Sequence, residues 1–243
     1  MKKFLIAAFI LFSFTHLIAQ NNFEQDLFKT DAGDLKITFI GHGTLMFEFN
    51  ETTIHIDPVG RYADYSALQK ADLILITHHH GDHLDAKAIG QIVKKGTKIF
   101  CNELSLQKAT GAEVLKNGNK AKYKVIDIET IPAYNLVHKR DNGQPFHPKG
   151  EGNGYVLTIG NKKIYIAGDT EKIPEMKELK NIDVAFLPMN LPYTMTPPMV
   201  ADAVNMFHPK VLYPYHYGDT NINELISLMK DIKDCEIRIR KMN

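Results

Sequence analysis

Four histidines and one aspartate directly follow a short apolar run, and this feature restricts the fold and chemistry of the chain more than any other. Residues 73–77 predict a buried strand, and the string HHHGDH comes immediately after it. His78 and His80 face one side of extended backbone, whereas Asp82 and His83 follow a glycine turn. Since imidazole and carboxylate groups bind transition metals, the string predicts a metal site with space for a second ion. A histidine-rich surface loop is the alternative, but such a loop needs no apolar strand before it.

Short apolar runs rich in β-branched and aromatic residues predict further strands along the chain. They span residues 35–40, 44–49, 53–56, 98–101, 155–159, 163–167, 184–187 and 211–213. Helical periodicity predicts helices over residues 85–94, 198–207 and 223–232. Hairpin spacing dominates early and strand-helix alternation late, which predicts at least one largely antiparallel sheet with helices on the outer faces.

The first nineteen residues form a segment of their own. Lys2 and Lys3 precede the apolar residues 4–12, and Ala19 is the small residue that a signal peptidase needs before its cut. Polar residues interrupt the run before it reaches the roughly 20 residues of a membrane span. The segment predicts a cleaved secretory signal, a secreted or periplasmic location without a stable membrane anchor, and one domain over residues 20–243. Mass spectrometry of the exported protein would then find a chain that begins near Gln20.

Charge and cysteine content exclude several classes of partner and scaffold. The 29 Lys and Arg residues nearly balance the 28 Asp and Glu residues, and a net charge of +1 gives no basic excess for nucleic acid. A small-molecule substrate is therefore expected, and the oligomeric state stays open. Cys101 and Cys235 are too few for a disulfide scaffold, although one bridge between them is left open.

Two more residues of ligand type follow predicted strands. Asp169 lies in a Gly-Asp-Thr turn after the strand predicted at 163–167, and His216 comes shortly after the strand predicted at 211–213. Alone, the aspartate would be interpreted as a turn former and the histidine as structural. The HHHGDH string makes a role in the same site more plausible for both.

With these residues in hand, the chain resembles the metallo-β-lactamase superfamily of metal-dependent hydrolases. The signature H-x-H-x-D-H of that family stands at residues 78–83, and Gly41-His42-Gly43, Asp57, Gly168-Asp169-Thr170 and residues 214–218 follow its further elements in order. The ascorbate-6-phosphate-lactonase-like branch is the most similar. The resemblance implies an α+β fold, an αββα sandwich of the metallo-β-lactamase type, with a dinuclear site at one edge.

The resemblance also implies which residues hold two divalent metal ions. They are His78 and His80 for the first ion, Asp82, His83 and His216 for the second, and Asp169 between them. Imidazole and carboxylate donors suit Zn²⁺, while Mn²⁺ or Fe would also be accepted. A metal in such a site lowers the pKa of a water so that hydroxide forms near neutrality, and Asp82 is expected to act in catalysis by orienting it.

A third histidine for the first ion has more than one possible position. Relatives often carry it after a Pro-Ala-x stretch, where this chain has Asn135, a poor zinc ligand beside imidazole. His138 and His147 follow, and the cations Lys139 and Arg140 disfavour a metal at His138. His147 is therefore predicted as the metal ligand. Asn135 is expected to orient a ligand or contact substrate, and His138 is expected at the pocket rim as a substrate contact.

Several other residues are predicted to support the site. Asp57 and Thr170 are expected to orient metal ligands through hydrogen bonds. His42 is predicted to act in catalysis by touching the substrate, and Tyr193, in a Pro-rich aromatic loop, to bind it. His79 points away from its two neighbours and is not expected to bind metal.

The leading functional prediction is a hydrolase that uses a metal-activated water to cleave a small ester, lactone, amide or phosphodiester. A secreted metallo-β-lactamase is an alternative, although antibiotic-hydrolysing enzymes of the family generally lack the aspartate that stands here at 169. A non-catalytic metal-binding module is disfavoured because an open ligand set is typical of catalytic sites. A nuclease is disfavoured by the neutral charge and by the lack of room for a further domain.

Overall fold

The strands of the protein form two seven-stranded sheets in a computed structural model that describes residues 23–242. The first sheet contains β1 (Glu24–Thr30), β2 (Gly33–Gly41), β3 (Thr44–Phe49), β4 (Thr52–Ile56), β5 (Leu73–Leu75), β6 (Lys98–Cys101) and β7 (Glu113–Val114). The second contains β8 (Lys120–Tyr123), β9 (Ile126–Ala133), β10 (Gly152–Ile159), β11 (Lys162–Ile166), β12 (Val184–Pro188), β13 (Val211–Tyr215) and β14 (Glu236–Ile237). The helices are α1 (Ala86–Ile92), α2 (Pro197–Phe207) and α3 (Ile222–Met229), with 3₁₀ helices at Glu103–Gln107 and Pro174–Glu178. The predicted signal segment lies outside the described residues.

Both sheets keep their strands in chain order and have the same mixed topology. The first four strands of each sheet pair antiparallel, and the last three continue in parallel. The expectation of a largely antiparallel sheet therefore holds for the first four strands of each sheet, which hairpins connect, but not for the last three, which pair in parallel. The strands that sequence patterns missed include β1 and β8, which contain several charged residues and too few apolar residues to form an apolar run.

The αββα layering predicted from the resemblance is confirmed by three separate apolar clusters. The largest fills the space between the sheets, a second packs α2 and α3 on the outer face of the second sheet, and a third packs α1 on the first. Successive residues of strand β5 pack on opposite faces of the first sheet. Leu73 and Leu75 point into the central core, and Ile74 points to the α1 cluster. Alternating strand geometry therefore buries both faces of this strand.

Parallel pairing collects the chemically important loops at one edge. Strands β4 and β5 run parallel, so that Asp57 and the HHHGDH string leave the first sheet side by side. Strands β11, β12 and β13 are parallel as well, which brings Asp169 and His216 to the same end of the second sheet. The carboxyl ends of parallel strands thus meet in a crevice between the sheets, where ligands commonly bind.

The cysteines do not form the bridge that the sequence left open. Both thiols are free and buried. Cys101 packs in the α1 cluster and Cys235 in the cluster of α2 and α3, so the two lie on opposite outer faces of the sandwich. Within residues 23–242, no helix has the length and apolar character needed to cross a membrane.

Candidate metal centre

Three histidines from two distant segments form the first donor group. Donor atoms of His78, His80 and His147 all lie within 4.8 Å of one another. Nε2 of His78 is 3.1 Å from Nδ1 of His80, and the rings of His80 and His147 are 5.0 Å apart. The structure thus places His147 beside the strand-end pair, the arrangement expected of a third imidazole ligand.

A second donor group lies next to the first. It consists of Asp82, His83 and His216, as the resemblance implies, and also includes His42 within the same 4.8 Å limit. Oδ2 of Asp82 is 3.6 Å from Nε2 of His216 and 3.2 Å from Nε2 of His42. His42 was not predicted as a ligand, yet it completes a four-residue set of metal-binding type. His79 joins none of these groups, as expected.

Asp169 lies between the two groups. Its Oδ2 is 3.2 Å from Nε2 of His147 and 3.3 Å from Nε2 of His216, and its Oδ1 is 3.3 Å from Nε2 of His83. Although burial opposes its charge, the neighbouring imidazoles of His216 and His83 hold the pKa of Asp169 well below the usual range. The carboxylate is therefore ionised and faces members of both groups.

Asp57 fixes the orientation of His83 through a hydrogen bond. It accepts hydrogen bonds from Nδ1 of His83 at 2.8 Å and from the backbone and hydroxyl of Thr77 at 2.7 and 2.6 Å. Nε2 of His83 is then left to point at Asp169. Burial disfavours the charged imidazole, but the carboxylates of Asp169 and Asp57 outweigh it and raise the pKa of His83 to about 9.

Gly43 allows the β2–β3 turn to approach the site closely. A Cβ at this position would lie 2.5 Å from Cε1 of His83, whose ring is held by Asp57. The same turn puts His42 at a φ of 54°, and the His42 carbonyl accepts a hydrogen bond of 3.0 Å from the backbone N–H of His216. The Gly-His-Gly string therefore joins the two sheets at the site.

Asn135 orients the ring of His147, as Asp57 orients the ring of His83. Its Oδ1 lies 2.7 Å from Nδ1 of His147 and accepts the backbone N–H of the same residue at 2.9 Å. Its Nδ2 donates to the carbonyl of Tyr193 at 2.8 Å. Since Nδ1 of His147 is engaged, Nε2 faces the cluster, which is the tautomer that a metal ligand requires.

Glu171 is a site-organising residue that sequence reasoning missed. Its buried carboxylate accepts the backbone N–H groups of Leu136, Val137 and His138, each at 2.7 Å, and the side-chain amide of Asn135 at 3.1 Å. A glutamate beside a Gly-Asp-Thr turn carries no pattern that would predict these bonds, because their partners are more than thirty residues away. The carboxylate shapes the loop that leads to His147.

We expect Glu171→Ala to destabilise the protein by about 2 kcal/mol, because three backbone N–H groups lose a charged acceptor. The matched control is Glu175→Ala, which removes a partly exposed carboxylate paired with Lys149 and should cost less than about 1 kcal/mol. Thermal or chemical unfolding of both variants measures the difference. Equal losses would show that Glu171 does not organise this loop.

Thr170 supports the site differently from the prediction. Its hydroxyl accepts the backbone N–H of Tyr134 at 3.1 Å, and its single hydrogen can be donated to the carbonyl of Glu171 at 2.9 Å or to that of Tyr134 at 3.1 Å. These bonds tie the Asp169 turn to the segment that precedes Asn135. The expected hydrogen bond to a metal ligand is therefore replaced by a backbone link.

An open cavity of about 460 Å³ exposes the cluster to solvent. Its walls are formed by His80, Gly81, Asp82, Arg140, Phe146, His147, Asp169, Asn190, Tyr193 and His216. Tyr193 is thus where a substrate contact was predicted. Asn190 and Arg140 also line the cavity.

Two residues that were predicted as substrate contacts do not line this cavity. His138 does not line the cavity; its Nδ1 lies 2.7 Å from Oε1 of Glu171. His42 does not line the cavity either; its ring stacks on Tyr62, and its Nε2 lies 3.2 Å from Oδ2 of Asp82. Each of the two histidines contacts a carboxylate instead, His138 the buried Glu171 and His42 the half-buried Asp82.

The residues present fit a metal centre. Nε2 of His83, Oδ1 of Asp169 and both ring nitrogens of His216 are buried without a hydrogen-bond partner among residues 23–242. Buried polar atoms are normally satisfied, and unpaired ones that converge are typical of an ion site. Imidazole and carboxylate donors suit Zn²⁺, Mn²⁺ or Fe. The fold and this cluster together define a metal-binding protein of αββα architecture.

Comparisons with known proteins identify the family. Residues 36–216 match the family model described as a beta-lactamase superfamily domain. A UPF0173 metal-dependent hydrolase from Desulforamulus reducens is 30% identical over 194 residues, 76% of this chain and 85% of the relative. One from Listeria welshimeri is 32% identical, with 76% and 86% covered. A crystal structure from Parabacteroides distasonis, described as that of a putative metal-dependent hydrolase, is 52% identical with a TM-score of 0.86, covering 91% of this chain and all of the other.

The chain therefore belongs to the metallo-β-lactamase superfamily and is a metal-dependent hydrolase. The expected superfamily and fold are confirmed by these matches. They do not assign the chain to the ascorbate-6-phosphate-lactonase-like branch, which stays a prediction.

Proposed function

We propose that the protein is a dinuclear metal hydrolase of small molecules, with one ion at His78, His80 and His147 and the other at Asp82, His83 and His216. The position of Asp169 carries this proposal. Its two oxygens lie within 3.3 Å of donor atoms from both groups, the place of a bridging carboxylate. One tetrahedral ion could not use all of these donors.

Divalent ions in this site would lower the pKa of a water and polarise the bond that it attacks. The protein supplies the orientation. Asp57 and Asn135 hold His83 and His147 in the required tautomers, and the half-buried Asp82 faces the cavity with one oxygen 3.2 Å from His42. Asp82 can therefore orient the attacking water, and the contact with His42 holds the carboxylate in that position.

The cavity supports a small substrate with an ester, lactone, amide or phosphodiester bond. Its volume of about 460 Å³ falls within the range of roughly 300–1,000 Å³ for small-molecule pockets. The open wall argues against a purely structural metal site, in which protein ligands close the coordination shell. A β-lactam is the competing substrate, and hydrolysis of a β-lactam alone would favour that alternative.

Metal content is the first test. We expect protein reconstituted with Zn²⁺, Mn²⁺ or Fe²⁺ to bind two ions per chain, because two adjacent donor groups share Asp169. Elemental analysis gives the count, and a panel of lactones, phosphodiesters, N-acyl amides, esters and β-lactams tests turnover with each metal. One ion per chain would contradict the dinuclear centre. Two bound ions without hydrolysis of any member would favour the binding module.

A further inference from the structure

Arg140 is the one lysine or arginine on the cavity wall formed by the described residues. It forms no ion pair within residues 23–242, whereas Arg238 and Arg240 pair with Asp26. An unpaired guanidinium at the mouth of a catalytic cavity is therefore available to a ligand. Asp141 follows it directly in the chain but does not neutralise it.

The position of Arg140 is fixed by its own loop. Its backbone N–H donates to the carbonyl of Gln144, and its carbonyl accepts from Gly143, both at 2.8 Å. Its Nη2 donates to the carbonyl of Phe146 at 3.1 Å, and the guanidinium lies 5.1 Å from the centre of the Phe146 ring. Only one of five guanidinium N–H groups is used in that bond, so the others remain for a ligand.

The wall that carries Arg140 is connected to the metal centre. The rings of Phe146 and Tyr193 meet edge to face with centres 5.0 Å apart. The Tyr193 carbonyl accepts the side-chain amide of Asn135, which in turn orients His147. A molecule held against this wall would thus have a defined position relative to the first donor group.

We propose that Arg140 binds an anionic group of the substrate, a carboxylate or a phosphate, while an apolar part of the same molecule packs on Phe146 and Tyr193. A planar guanidinium pairs bidentately with either anion. The side chain of Tyr193 is 45% exposed and presents apolar surface beside the cation. This substrate class rests on the proposed function, because the scissile bond of the same molecule must reach the metal centre.

The test measures binding of phenylacetate, benzylphosphonate and the neutral phenylacetamide to the metal-loaded full chain by calorimetry. We expect Arg140→Ala to weaken binding of at least one anion by about tenfold or more, since a charge-assisted hydrogen bond is lost. Binding of phenylacetamide should not change. Lys139→Ala is the matched control, because it removes an adjacent positive charge that does not line the cavity. A loss confined to phenylacetate or to benzylphosphonate distinguishes a carboxylate from a phosphate group.

Equal binding of both anions to Arg140→Ala and to the wild-type protein would overturn the proposal. It is also overturned if the wild-type protein binds neither anion, or if Lys139→Ala weakens binding as much as Arg140→Ala. Metal analysis of the same samples separates this result from the proposed function. If the protein holds two ions but anion binding does not depend on Arg140, only the proposed substrate class is refuted. If it holds fewer than two ions, the dinuclear centre is refuted.

Discussion

Asp169→Asn should reduce hydrolysis by at least about a hundredfold, because loss of a residue that merely orients a metal ligand already costs up to that factor. The substitution keeps the size of the side chain and removes the charge that faces His83, His147 and His216. Fewer than two metal ions per chain should remain bound. Elemental analysis and kcat/KM, measured on the substrate found by screening, give the two readouts.

A matched control separates this effect from a general cost of altering a buried carboxylate. Asp183 is also buried but lies just before β12, at the opposite end of the second sheet, and accepts hydrogen bonds from Lys163 and Lys210. Asp183→Asn should lower stability and leave metal content unchanged. If Asp169→Asn keeps two ions and full turnover, the bridging role is wrong.

His147→Ala should weaken binding of one metal ion by at least about a hundredfold and reduce turnover accordingly, because the first donor group would lose one of three imidazoles. Competition with a chelator measures the affinity of each ion. The second group, with His216 and Asp82, should keep its ion. Unequal affinities for the two ions would therefore appear in this variant.

His138→Ala is the control for His147→Ala, since both histidines lie in the same loop and only His147 faces the cluster. Metal affinity in the His138 variant should match that of the parent. Its expected effect is a small loss of stability through the contact with Glu171. The same metal content and activity in the His147 variant as in the parent would remove His147 from the site.

Local sequence was sufficient to predict the site where its donor residues are neighbours in the chain. In the HHHGDH string, the spacing of His78 and His80 on extended chain and the turn before Asp82 place the side chains in two neighbouring groups. Short apolar runs likewise identified β3 and β6 with their observed bounds, because both faces of each strand are packed. A strand that is buried on both faces appears in the sequence as a continuous apolar run.

Contacts between residues far apart in the chain could be identified only from the tertiary structure. The structure brings His147 rather than His138 to the cluster. The contacts that distinguish the two come from Asn135 and Glu171, which no local pattern connects to either histidine. His42 joins the second donor group only because the β2–β3 turn meets the end of β13.

The sequence by itself determined the type of metal donors, the strands that present them and, through resemblance, the layered fold. The tertiary structure decided that Asp57 orients His83 and that Asn135 orients His147. It also decided that Arg140 rather than His138 lines the cavity. The physical reason is that the alternation of side chains along a strand and the donor type of a residue depend only on a few neighbouring residues. The direction of a loop side chain is instead determined by hydrogen bonds to partners tens of residues away, such as those from residues 136–138 to Glu171.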